Sequence, residues 1–147
     1  MLPTAYQWLN DISPPNTIKE ALKLYGVKEK IGPDNNPIIM SWATECNISG
    51  YNADSIPWCG LFAALVVKRA NWEIVEGPLW ARNWSTLGVP SSPALGDILV
   101  FAREGGGHVG FYVAEDKDYY HVIGGNQSDM VNIIRISKSR LIASRLS

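Results

Sequence analysis

The chain has 147 residues, 46% of them hydrophobic, with a formal net charge of −1, two histidines and two cysteines. That length and apolar fraction suit one domain over residues 1–147 with one core, and no repeat or low-complexity tract divides it. A near-neutral balance argues against nucleic acid as a partner; no apolar run is long enough to span a bilayer or hold the chain stably in a membrane; two cysteines do not make a disulfide framework.

In chain order, residues 1–16 read as a short N-terminal extension, and Met1–Asp11 has neither the basic start nor the apolar stretch of an export signal. Ile18–Tyr25 reads as a short amphipathic helix stopped by Gly26, and Pro37–Cys46 as a second, begun after the Asn35-Asn36 turn. A third helix runs to Arg69. Pro57 near its first position, with Asp54 and Ser55 as cap candidates, fixes its start, and its unbroken apolar run Leu61–Val67 marks it as buried against a sheet. Loop residues 71–93 follow, with short helices around Trp80 and Trp84. Strands are expected at Asp97–Phe101, His108–Ala114, Tyr119–Ile123, Val131–Ile136 and Leu141–Ser144. The fold class is α+β, N-terminal helices packed on a C-terminal antiparallel sheet of about five strands.

Cys59 falls in the first turn of the third helix, where unpaired backbone N–H groups and the positive end of the helix dipole favour a thiolate over a thiol. The run Gly105-Gly106-Gly107 delivers His108 to the first position of an apolar strand, and Glu115–Asp118 turns that strand back through Tyr119–Ile123 as a hairpin. With the turn centred between Asp116 and Lys117, His108 lies opposite Gly125, and Asn126 is its neighbour. A thiol, an imidazole and an amide in that order supply a nucleophile, a general base and a group that orients the base.

The segments Pro57-Trp58-Cys59, Gly96-Asp97-Ile98, Gly107-His108-Val109-Gly110-Phe111-Tyr112-Val113 and Gly124-Gly125-Asn126-Gln127, in this order, resemble the NlpC/P60 and CHAP superfamily of cysteine peptidases and amidases. The resemblance runs from about Thr17 to Arg145 and is nearest to small single-domain CHAP-like proteins of phages and bacteria. It implies a papain-like fold and peptidoglycan as substrate. It also implies Cys59 as nucleophile, His108 as base and Asn126 as third member, with Gln127 as the alternative for that place. Trp58, beside the nucleophile, together with Gly107 and Gln127, is expected to line the substrate cleft. Gly60 departs from the Ala or Ser expected after the nucleophile. The implied activity is hydrolysis of a stem-peptide amide, by an N-acetylmuramoyl-L-alanine amidase or an endopeptidase, in a phage endolysin. No metal and no cofactor are expected, and the protein is expected to act as a monomer. It would be made in the host cytoplasm and reach the periplasm after holin-type release. The alternative settings are a wall-degrading effector delivered by a secretion system, with an immunity protein as partner, and a non-catalytic phage structural or wall-binding module.

A zinc hydrolase using Cys46, Cys59, His108 and His121 is the rival chemistry, but no two of these lie at the spacing of a helix turn or a zinc knuckle. The Gly105–Gly107 run precedes a strand and lacks the Lys-Ser/Thr of a phosphate loop. Of the six tryptophans, all except Trp58 are expected to pack or to anchor loops. The basic residues Arg135, Lys138, Arg140 and Arg145 read as a solvated strand edge.

Overall fold

The computed structural model describes residues 2–30 and 32–147. Three α-helices come first: α1 (Asn16–Leu22), α2 (Pro37–Glu45) and α3 (Cys59–Arg69). The start of α2 follows from its sequence, since the Asn36 side chain accepts from the Ile38 N–H at 2.8 Å and Pro37 supplies a preset first-turn φ. Every residue of α3 from Cys59 to Val67 is buried, as its apolar run requires. The expected N-terminal extension is less detached than its polarity suggests. Thr4–Asp11 forms a 3₁₀ segment whose Leu9 is buried in the core, with Leu2 beside it.

Six strands follow: β1 (Val89–Pro90), β2 (Ile98–Arg103), β3 (Gly106–Glu115), β4 (Tyr119–Gly124), β5 (Asn132–Ser137) and β6 (Leu141–Leu146). They form one sheet in the order β1-β6-β2-β3-β4-β5, every neighbouring pair antiparallel. The strand beyond the expected five is β1, two residues paired to the end of β6 and too short to show a period. The architecture is α+β and compatible with a papain-like CHAP fold. One face of the sheet, carrying Ile98, Val100, Val109, Phe111 and Ile123, packs with α3 and the other helices. The opposite face buries a smaller cluster of Leu99, Phe101, Val122 and Ile136 under Tyr112 and Tyr120. Burial on both faces explains why β2 reads as a continuous apolar run rather than an alternation.

The β3–β4 register differs from the expected one. The Asp116 N–H donates to the Tyr119 carbonyl, so the turn sits later in the chain; a bulge between Tyr112 and Ala114 takes back only part of the shift, and beyond it the pairing stays one residue from the expected register. Phe111 pairs with Ile123, and β4 ends at Gly124, so Gly125 is not paired with His108. His108 instead pairs with Phe101 of β2.

Candidate active site

Cys59 is the first residue of α3, but the cap differs from the sequence expectation. Trp58 occupies the N-cap position without a side-chain cap. Asp54 is buried and accepts the Lys30 and Asn36 N–H groups through Oδ2 at 2.9 and 2.7 Å, tying two loops together ahead of the helix. The thiol is also buried, with the backbone N–H groups of Val109, Gly60 and Cys59 itself around its sulfur. Burial raises the thiol pKa above its ordinary value, against the opposing pull of these N–H groups and of Arg103. A helix terminus offers about half a unit charge, and here it does not outweigh the loss of solvent. The resting group is therefore a thiol, not the thiolate the helix position alone suggests.

Val109, against the sulfur, follows His108 at the start of β3. His108 is buried, and its Nε2 lies 2.9 Å from Gln127 Oε1. The Gln127 carboxamide is held from behind: its Nε2 donates to the Val122 carbonyl at 3.2 Å, the Asn132 carbonyl at 2.8 Å and Asn132 Oδ1 at 3.0 Å. Asn132 Nδ2 in turn donates to the Gln127 carbonyl at 3.0 Å. Since two of those acceptors are carbonyls, the amide nitrogen must face them and the amide oxygen must face the histidine. His108 Nε2 then carries the proton, and Nδ1 is left as the basic nitrogen. Burial pulls the imidazole pKa down to about 4, only partly offset by Gln127, with Arg103 and Arg140 adding to the depression. His108 is accordingly neutral near pH 7.

The sequence reading gave the partner place to Asn126 and left Gln127 as its alternative. The observed partner is Gln127; Asn126 lines the open cavity instead. Two local features place the longer amide. Asn126, Ser128 and Asp129 all adopt left-handed φ, at 58°, 54° and 63°, which folds the loop back so that residue 127 points inward. Gly124 leaves room, because a Cβ there would lie 2.5 Å from Gln127 Oε1. The wrong register was the source of the error.

Trp58 does not line the cleft. It is wholly buried, its Nε1 donates to Glu29 Oε1 at 3.0 Å, and its ring packs against Trp42 and the glycine face of Gly125. Gln127, also expected at the substrate, is sequestered behind His108. Gly107 does line the cavity, a space of about 460 Å³ bordered also by Cys59, Pro57, Leu79, Trp80, Arg103 and Asn126. Trp80, expected to anchor a loop, is 71% exposed there. Nothing in composition separates it from the other tryptophans; its position follows from Gly60, where a Cβ would come within 2.0 Å of the Pro78 carbonyl. The glycine lets the 77–80 chain cross the start of α3 and bring Leu79 and Trp80 to the cavity that Cys59 lines.

The four residues of the zinc alternative are not grouped. Cys46 closes α2, buried and with its thiol pushed up to about 11, and both ring nitrogens of His121 are engaged, by Tyr6 and Asp116. Among the described residues no three His, Cys, Asp or Glu side chains are gathered as metal donors. No helix of the described residues is long and apolar enough to cross a membrane.

No curated protein and no solved structure matches the chain. Residues 51–126, just over half of the sequence, match the family model of the CHAP domain, a span that takes in Cys59 and His108 and stops one residue short of Gln127. CHAP domains typically act as peptidoglycan hydrolases, and this chain belongs to the CHAP domain family.

Proposed function

We propose that the protein is a cysteine hydrolase that cuts an amide bond in the peptide stem of peptidoglycan, as amidase or endopeptidase, in the manner of a phage lysis enzyme. The observation that carries this reading is the locked carboxamide of Gln127, which accepts from His108 Nε2 and leaves Nδ1 basic at the end of β3 that meets the thiol of α3. Cys59 is the nucleophile, His108 the acid–base group and Gln127 a positioning residue.

Because both partners rest neutral, the thiol proton passes to His108 Nδ1 as the sulfur attacks the amide carbonyl. The oxyanion meets the Cys59 backbone N–H at the helix start. The carbon–nitrogen bond then breaks, and the imidazolium returns its proton to the departing amine. Water attacks the thioester with His108 as base, the acid leaves, and the proton goes back to sulfur. Gln127 helps throughout, since an amide oxygen strengthens its hydrogen bond when the imidazole becomes charged.

The test is a digest of purified peptidoglycan read by mass spectrometry. New amino termini or lactyl carboxylates identify the bond cut, and Cys59→Ala abolishes their release while leaving the circular dichroism spectrum unchanged. Release by Cys59→Ala at more than about a thousandth of the wild-type rate overturns the thiol mechanism. Absence of any release by the wild type favours the non-catalytic wall-binding module.

A further inference from the structure

Five of the six arginines are engaged within the fold. Arg69 pairs with Glu45, and Arg135 with Asp116. Arg82 donates to the Gly106 carbonyl, Arg140 to that of Ala102, and Arg145 to those of Leu87 and Gly88. Arg103 makes no hydrogen bond and no ion pair among the described residues, and it is the arginine that lines the cavity with Cys59. Its neighbour Glu104 lines the same cavity without pairing to it. The hairpin that carries Arg103 is braced on both sides, at Ala102 by Arg140 and at Gly106 by Arg82, so its guanidinium projects from a fixed base.

We propose that Arg103 binds a free carboxylate of the substrate's peptide stem beside the scissile amide and so sets which stems are cut. The proposal rests on the hydrolase reading above and deepens it. A guanidinium with five donors and no internal acceptor matches a carboxylate in two parallel hydrogen bonds, a match lost when the acid becomes a primary amide. Stem peptides offer two such groups close to their cleavable bonds, the α-carboxylate of a γ-linked glutamate at position two and the side-chain carboxylate of a diamino acid at position three. Either occurs free or amidated. Arg103 also favours the Cys59 thiolate through its charge, but that effect does not depend on which substrate is bound. Discrimination between substrates therefore separates the two roles.

Three soluble muropeptides serve as probes: one with both carboxylates free, one amidated at position two, one amidated at position three. The wild type is expected to lose about tenfold or more in kcat/KM on one of the amidated probes and little on the other, which names the carboxylate recognised. Arg103→Gln is expected to lose a similar factor on the free probe, chiefly through KM, and to cut all three at nearly one rate; Arg103→Lys is expected to recover part of the preference. Equal cleavage of the three by the wild type, or retention of the wild-type preference by Arg103→Gln, overturns the proposal. Failure of the wild type to cut any probe overturns the hydrolase reading, and the proposal falls with it.

Discussion

The two histidines stand on the strands of one hairpin and live in opposite surroundings. His108, at the start of β3, is buried, meets a neutral carboxamide and is pulled down to about 4. His121, on β4 at the other end of the hairpin, is half-buried between Tyr6, whose hydroxyl donates to Nδ1 at 2.8 Å, and Asp116, which accepts from Nε2 at 2.8 Å. Arg135 adds a second hydrogen bond to that carboxylate, which the His121 contact chiefly holds below its ordinary range. A hydroxyl, an imidazole and a carboxylate in line resemble a relay, yet this chain fastens the N-terminal 3₁₀ segment to the sheet. In general a carboxylate partner favours the charged form of an imidazole, whereas an amide partner orients the ring without favouring that form as strongly. The second arrangement suits a base that must begin neutral.

The sharpest way to break this comparison is to remove each ring. His108→Ala is expected to lower kcat/KM for wall fragments by about a thousandfold or more, whereas His121→Ala stays within about twofold in rate and loses a few degrees in Tm. A large rate loss in the His121 variant at unchanged Tm would place the reacting group at the other end of the hairpin.

Exchange of the partner sharpens it further. Gln127→Ala is expected to cost about ten- to a hundredfold in rate, and Gly124→Ala a comparable amount, because the added methyl displaces the amide oxygen from His108. Gln127→Glu puts the His121 type of partner on His108. It is expected to raise the imidazole pKa and carry the acidic limb of the pH–rate profile upward. An unmoved limb would show that His108 does not set it.

The smallest expected effect is on stability against pH. The unfolded chain binds a proton at His108 near the ordinary value of 6.5, and the folded chain only near 4. Protonation therefore favours the unfolded state, and stability declines as pH falls through that window, by about 3 kcal/mol in all. Denaturant titrations of His108→Gln are expected to lose most of this slope between pH 6.5 and 4, while those of His121→Gln retain it. An unchanged slope in His108→Gln would mean the ring is solvated in solution.

The strands and helices were readable in the sequence because each announces itself locally: the apolar run of α3, the Asn36-Pro37 start of α2, the glycines before β3. The positions of Cys59 and His108, the proposed nucleophile and base, were readable for the same reason, as residues at element starts. Their surroundings were not. Burial of Cys59 and His108 depends on which loops close over them, and that reversed the charge expected from the helix position alone. Asn126 was expected in place of Gln127 because the β3–β4 turn sits later than the sequence suggests and the bulge recovers only part of that shift, and a register error of one residue exchanges Asn126 for Gln127. Trp58 and Trp80 exchanged roles for a related reason: adjacency in sequence to Cys59 says nothing about the side on which a ring emerges.

Gly60 carries a consequence for how this cleft can be changed. Where the wall of a binding site is built of side chains, substitutions widen or narrow it step by step. Here the wall beside Cys59 is main chain lying on main chain, with the Pro78 carbonyl filling the place of a missing Cβ. A single methyl at residue 60 has no side chain to push aside, so it must lift the whole 77–80 crossing and carry Leu79 and Trp80 away from the thiol. The width of this cleft is thus an on-or-off property of one hydrogen atom, and a new substrate shape would be reached by rerouting that loop rather than by trimming the residues on it.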